Sequence, residues 1–297
     1  MIAMMKKNKG RGYSMERLYR YLGITRQGLH QKQKAMLERV IVEETALLDV
    51  KKLRIKHPRM GSRSLYYSLG ITGMGVTKFE ELLSHKGLTI SRKRKHIITT
   101  DSKGSKRYPN LTNGLVLTDI NQLIVADITY YSIDNQTLYI FTLKDVYSQR
   151  VLSLRGSDNM KAINALWNLE DLVKVRGAGS LSNLICHSDN GSQYDSALFK
   201  NRLAELEIKI SRAENSLQNG SAESLNDVIK NDYLFDHSQI KSLGQLQNAL
   251  KDLKWKLNNE KAIKSLGYRT VVEFEKHILS LPSSKHPKKT LYDFEQE

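Results

Sequence analysis

Residues 123–131 read Leu123-Ile124-Val125-Ala126-Asp127-Ile128-Thr129-Tyr130-Tyr131, an apolar run with one carboxylate at its centre. Near-continuous hydrophobicity, in place of strict alternation, is the pattern of a strand covered on both faces. An unpaired carboxylate at such a position costs on the order of several kcal/mol, so Asp127 needs partners. A salt bridge would serve if Asp127 is taken alone. The sequence downstream offers a different answer.

Two further strands are expected at Thr137 to Val146 and Arg150 to Arg155, joined at Ser148-Gln149 with room for an antiparallel meander. A helix from about Asn159 to Val175 would bury Ala162, Leu166, Leu169 and Leu172 or Val173. Then come a strand Leu184 to His187, a helix Ala197 to Leu206, a short strand Ile208 to Ser211 and a last helix from Gly220 onward. Three strands, helix, strand, helix, strand, helix is the order of an RNase H-like α/β fold.

A second acid, Asp189, lies just past a strand end in His187-Ser188-Asp189-Asn190-Gly191-Ser192-Gln193-Tyr194. Asn190-Gly191 permits a tight turn that leaves the Asp side chain at the sheet edge. The third acid, Glu223, stands in Gly220-Ser221-Ala222-Glu223-Ser224 at a helix start. Three clustered carboxylates raise one another's pKa unless cations hold them together. Hard oxygen ligands suit Mg²⁺, with Mn²⁺ as a substitute. Two such ions about 3.5–4 Å apart can activate a water or a 3′-hydroxyl for in-line attack on phosphorus. The expected chemistry is phosphodiester transfer with no covalent protein intermediate.

Lys and Arg number 47 against 31 Asp and Glu, a net charge of +16, which favours a polyanionic partner. The excess is concentrated in the first hundred residues and peaks at Arg92-Lys93-Arg94-Lys95. The single cysteine, Cys186, rules out an internal disulfide and leaves no CxxC pair for structural zinc. No signal-peptide core and no stretch of about 18 uncharged apolar residues is present. The expectation is a cytoplasmic protein without a membrane span.

The N-terminal third reads as two helix-turn-helix outlines. In the first, Leu18, Tyr19 and Leu22 take helical spacing, and Thr25 caps a short second helix carrying Arg26, Gln27, His30 and Gln31 toward DNA. A long amphipathic helix follows, with Met36, Leu37, Val40, Ile41, Leu47 and Leu48 expected as core or, less simply, as a self-association seam. The second outline runs from Ser64 to Leu69, turns at Gly70 to Gly75 and resumes from Thr77 to His85. Thr77 and Glu80 form a T-x-x-E capping box there, and Gly87 suits the stop. Lys78 on this helix joins Arg92 to Lys95 as an expected DNA contact. Composition therefore divides the chain into a helical DNA-binding region at 1–96, a linker at 97–117, a catalytic core at 118–280 and a tail at 281–297.

These residues resemble the second-reading-frame transposases of the IS-three group of bacterial insertion sequences, whose core is related to retroviral integrases. The resemblance rests on His57-Pro58-Arg59-Met60-Gly61-Ser62-Arg63 before Leu65-Tyr66, and on Gly87-Leu88-Thr89-Ile90-Ser91-Arg92-Lys93. It continues through Asn121-Gln122, Asp127-Ile128-Thr129-Tyr130 and the His187 to Tyr194 segment, then Ala222-Glu223-Ser224 and Ile229-Lys230-Asn231-Asp232-Tyr233-Leu234. It implies Asp127, Asp189 and Glu223 as catalytic metal ligands and Lys230, two turns along the helix, as a contact to the DNA end. It leaves His187 and Asn190 as supports behind the ligands. It also implies double-stranded DNA partners, both terminal inverted repeats and target, assembly as a homo-oligomer on DNA, and action with the upstream-frame product or as a fusion with it.

Three features depart from the group's pattern. Glu223 follows Asp189 by 34 positions where 36 is usual, trimming the loop from Ala213 to Gly220. Ile124 replaces a common aromatic, and Leu257-Asn258 and Ala262-Ile263 replace the usual motif before Ser265-Leu266-Gly267-Tyr268. Two other classes fit part of the sequence. A DNA-binding protein without catalysis has no use for three acids on three elements, and an RNase H-type nuclease has no use for two helix-turn-helix outlines.

Overall fold

The computed structural model describes residues 15–90, 108–133, 136–213, 216–236 and 239–293. Its centre is a five-stranded sheet built from β2 (Leu123–Ile133), β3 (Gln136–Asp145), β4 (Val151–Ser157), β5 (Ile185–Ser188) and β6 (Lys209–Arg212) in the order β4-β3-β2-β5-β6. The first three strands are antiparallel and the last two run parallel to β2. Hairpin connections suffice for the meander. The parallel pairs need helical crossovers, supplied by α5 (Ala162–Arg176) before β5 and by α6 (Ser192–Asp195) and α7 (Ala197–Glu205) before β6.

Parity along β2 explains its unbroken apolar run. Ile124 and Ala126 pack with Phe141, Leu169, Leu172 and Phe199 on the face covered by α5 and α7. Leu123 and Val125 face the other way, toward Ala222, Phe274 and Ile278. That second face is covered by α8 (Gly220–Asp227), α9 (Leu243–Asn259) and α10 (Val271–Leu279). Asp127, in odd register with Leu123 and Val125, therefore points toward α8.

Residues 116–117 and 289–290, which composition places in the linker and the tail, form a two-stranded antiparallel sheet, β1 (Val116–Leu117) with β7 (Lys289–Thr290). Leu117 is fully buried in the cluster of α10, so both segments are packed against the core.

The N-terminal region holds α1 (Met15–Tyr21), α2 (Arg26–Lys56), α3 (Ser62–Leu69) and α4 (Val76–His85). Thr25 does cap a helix, accepting a bond from Gly28 N at 2.9 Å, but that helix is not short. With no breaker between Gln31 and Met36, it runs on without interruption as the 31-residue α2. The stripe expected as core is also corrected. Met36, Leu37, Val40, Ile41 and Leu48 are exposed at 44–68%, and only Leu29, Ala46, Leu47 and Val50 of α2 are buried. The packing partners α3 and α4 reach only the C-terminal half of α2, where Leu47 and Val50 meet Leu65, Phe79 and Leu83.

The capping box at Thr77 does not form. Helix α4 begins one residue earlier with Gly75 as its cap, so Thr77 lies inside the first turn and Glu80 instead takes a fork from Arg63 at 2.9 and 3.3 Å. Gly87, at φ +66°, does end the helix, with Leu88 N reaching Leu83 O.

The motif at His57 joins the two regions. His57, fully buried, meets Tyr233 Oη at 2.6 Å through Nδ1 and Glu260 Oε2 at 2.8 Å through Nε2. Arg59 donates to Asn231 O at 3.0 Å and lies 4.3 Å over the Phe235 ring. Tyr67 stacks on Tyr268 at 3.8 Å, and Ser68 Oγ accepts from Ala262 N. Burial dominates the His57 environment and lowers its pKa, so the ring is a neutral hydrogen-bonding bridge.

Replacing His57 by Ala leaves a cavity and strands Tyr233 and Glu260, at an expected cost of about 2–4 kcal/mol. Urea unfolding of the full chain checks this, and a loss below about 0.5 kcal/mol would show that the bridge is not structural.

Candidate active site

Parallel pairing of β2 with β5 sets the first two acids. The last registered pair is Ala126 with Ser188, so one step further Asp127 and Asp189 stand level on adjacent strands. Strand spacing in a sheet is about 4.8 Å, which brings the two carboxylates into electrostatic range. Asp189 is held by a local turn, with Gly191 N donating to its Oδ1 at 3.1 Å. A Cβ at Gly191 would sit 3.0 Å from that same oxygen, so any larger residue there would crowd the Asp189 carboxylate.

Glu223 enters from α8, in its first turn. The same helix carries Asn226, whose Nδ2 donates to Asp127 Oδ2 at 2.5 Å. Asn226 lies three residues after Glu223, one turn on, so the helix presents both toward the sheet.

The electrostatics follow from this placement. Asp127 is pushed up to about 7, first by burial, then by the charge of Asp189 and also by Glu223, against relief from the Ile128 backbone N–H and Lys230. Asp189 is accessible at its edge but is raised too, by desolvation from the surrounding wall, against Gly191 N–H and Arg212. Asp127 thus feels both other acids and is disfavoured as an anion. Among the described residues, no three His, Cys, Asp or Glu side chains stand close enough to form a ready-made metal cage. The coupling acts through space, and a divalent cation is the charge that would relieve it.

The segment after Glu223 departs from the ideal helix assumed for Lys230. From Val228 to Tyr233 the chain widens into a π-turn, with Leu234 N bonding Ile229 O five residues back. Lys230 is therefore placed by that wider turn, with Nζ 4.1 Å over the Tyr130 ring. Burial lowers its pKa while Asp127 opposes the shift.

His187 and Asn190 both brace the neighbouring strand. His187 is fully buried, bonds Ser211 Oγ at 2.8 Å through Nδ1, and is held down to about 4 mainly by burial, so it is neutral. Asn190 donates to Ala213 O at 3.1 Å. Arg26 and Gln27 are exposed at the start of α2, and Lys78 is half-buried on α4. All three belong to the N-terminal helices and do not join the acids. Arg92, Lys93, Arg94 and Lys95 lie outside the described residues.

Two participants were not evident from the sequence. Asn226 was missed although its spacing from Glu223 is that of one helical turn. Arg212, one residue past the expected end of β6, is buried and donates to Ser188 Oγ at 3.0 Å and Tyr194 O at 2.7 Å. It is the cation that steadies Asp189 from behind.

With this geometry in place, the comparisons with known proteins become specific. Residues 118–215 match the integrase core domain family. Those residues are similar to an integrase core, and the chain is similar to insertion-sequence transposases. The protein assigned as the transposase of insertion sequence element IS986/IS6110 in Mycobacterium tuberculosis H37Ra is 29% identical over 183 residues, covering 59% of this chain. The chain spans 66% of that relative's length. The transposase for element IS629 of Shigella sonnei is 28% identical, covering 74% of this chain and 75% of its own. A chain of the simian T-cell lymphotropic virus intasome, solved with the PP2A regulatory subunit B56 gamma, is 20% identical over 80% of this chain and 76% of its own, with a TM-score of 0.49. The integrase core is RNase H-like by its strand order and pairing, and both Asp127 and Asp189 lie within the matched residues.

The raised Asp127 predicts a pH-dependent penalty in metal-free protein. Its folded pKa exceeds the unfolded value, so the penalty is absent below about pH 4, grows as pH rises and is complete above about pH 7. In EDTA at pH 8, Asp127→Asn should stabilise the fold by about 2–4 kcal/mol, and at pH 4 by almost nothing. Urea unfolding across this range tests the claim, which an equal effect at both pH values would refute.

Proposed function

We propose that this protein is a DNA transposase that nicks insertion-sequence ends and joins the 3′-hydroxyls to DNA. The observation that supports the reading is the electrostatic effect of Asp189 and Glu223 on Asp127, acids carried by a strand end, a helix and a strand respectively. A structural role for these acids would be met by a cationic partner, whereas here the largest effects on Asp127 are burial and another carboxylate. The relation to insertion-sequence transposases supports the same conclusion.

In this reading Asp127, Asp189 and Glu223 hold divalent cations of the Mg²⁺ type, two in number, with Mn²⁺ as substitute. Such cations, when bound, supply the charge that activates a water or 3′-hydroxyl and steadies the leaving oxygen. The chain's own residues do the positioning. Asn226 orients the Asp127 carboxylate by its 2.5 Å bond. Arg212, through Ser188 and the Tyr194 carbonyl, fixes the end of β5 that carries Asp189. Lys230 sets an ammonium beside the acids, where a DNA phosphate would meet it. The basic N-terminal helices, with Arg26, Gln27 and Lys78, and the run Arg92 to Lys95 bind double-stranded DNA, both element ends and target. Assembly of several copies on DNA, and cooperation with an upstream-frame product, belong to the same proposal.

Labelled terminal-repeat DNA incubated with the full chain and Mg²⁺ or Mn²⁺ should be nicked and joined. Asp127→Asn should lose about 100-fold or more of that activity while retaining DNA affinity. Equal nicking by both proteins would overturn the ligand assignment. Binding without cleavage under either metal would favour a DNA-binding protein without catalysis.

A further inference from the structure

On the back of the catalytic helix lies a cavity of about 210 Å³ that the transfer reaction described above does not use. It opens where three parts of the molecule meet. Ser64 comes from α3 of the N-terminal region, Lys144 and Gln149 from the β3–β4 hairpin, Ser224 from α8, and Lys261 and Lys264 from the segment after α9. None of its described lining residues is acidic.

Lys144 is the unusual member. It is more than nine-tenths buried, yet among the described residues its ammonium finds only the carbonyl and hydroxyl of Ser221, at 3.3 and 3.4 Å. Both distances are at the long end for a hydrogen bond, so a group with three donors is left weakly satisfied. Its sequence neighbour Asp145 attracts it through space but makes no hydrogen bond to it. That carboxylate is taken by Asn121 N, Ser148 N and Ser148 Oγ, and faces Arg176 at 3.8 Å. Burial first, then Lys289 and Lys261, hold Lys144 down to about 7. A buried cation surrounded by other cations and hydroxyls is a site that an anion would complete. The hairpin residue at its rim, Gln149, is held at φ +63°, an uncommon conformation for a residue with a side chain.

The chemistry selects the anion. Three lysines act as point charges, one from β3 and two from the segment after α9, and two serine hydroxyls add donors from α3 and α8. A tetrahedral group with several acceptor oxygens can meet donors from all these directions, which a planar carboxylate cannot.

We propose that the cavity lined by Lys144, Lys261 and Lys264, with Ser64 and Ser224, is a binding site for one phosphate group. A phosphate there would bridge the N-terminal region, the central sheet and the helix of Glu223, one residue behind Glu223 at Ser224. The phosphate can come from a DNA strand or from a small phosphorylated compound. The first source rests on the transposase reading, whereas the site itself does not.

The test uses the full chain and two probes. Inorganic phosphate, against chloride at equal ionic strength, should stabilise the wild type saturably in thermal unfolding. Lys264→Gln, an exposed position, should weaken that response roughly tenfold, as should Lys144→Met, while Lys174→Gln on α5 should leave it unchanged. If Lys144→Met does not fold, Lys264→Gln decides. No saturable response in the wild type, or an unaltered response in Lys264→Gln, overturns the proposal. The second probe is duplex DNA. A salt slope reduced by about one in Lys264→Gln assigns the site to a DNA phosphate. An unchanged slope with a lost phosphate response assigns it to a small phosphorylated compound. Failure of DNA nicking with the phosphate response intact would count against the proposed function and leave the phosphate site standing.

Discussion

A largely desolvated carboxylate in the central strand of a sheet, with no cationic partner at bonding distance among the described residues, is the constraint around which this molecule is arranged. Asp127 has no alternative position, because parity along β2 commits its side chain to the face covered by α8. The register of β5 then places Asp189 level with it, and α8 brings Asn226 onto Asp127 with Glu223 one turn before it. Each of these placements is enforced by packing of apolar neighbours such as Val125, Ala222 and Leu225. The fold thus spends stability to hold acids together, a pattern expected where charge is to be supplied by a ligand.

The second organising feature is the widened turn that follows α8. An α-helix continuing through residues 228–233 would place Lys230 differently and would not offer Tyr233 to His57. The π-turn does both, with Lys230 over Tyr130 and Tyr233 bonded to a buried imidazole from the N-terminal region. His57 and Arg59 therefore act on the same short segment that positions Lys230. The N-terminal helices are fastened to the core beside the acids, through His57, Arg59, Ser68 and Tyr67.

Much of this was legible in the sequence, for identifiable reasons. The apolar run at 123–131 with Asp127 at its centre, and the helix expected from about Asn159 to Val175 and found at Ala162–Arg176, follow from local periodicity, which a buried strand or an amphipathic helix cannot hide. What required the structure was non-local. Nothing in the sequence states that Ser188 pairs with Ala126, so the levelness of Asp127 and Asp189 was invisible. The stripe Met36 to Leu48 has helical spacing whether or not anything covers it, and α3 and α4 reach only its far end. Thr77 and Glu80 satisfy a capping pattern, but the helix starts at Val76, and Arg63, seventeen positions earlier, takes the glutamate. Asn258 sits where the chain departs from the insertion-sequence pattern. It pairs with both backbone groups of Val151 at 2.9 Å, so the departure has a structural use.

The proposal's central claim is that Asp127, Asp189 and Glu223 together hold divalent cations. Mn²⁺ titration of the full chain, followed by electron paramagnetic resonance, measures it directly, with Glu223→Gln as the decisive variant because Glu223 is exposed and lies outside the residues matched to the integrase core. The account predicts saturable Mn²⁺ binding in the wild type that Glu223→Gln weakens by about tenfold or more. Binding by Glu223→Gln indistinguishable from the wild type would contradict it.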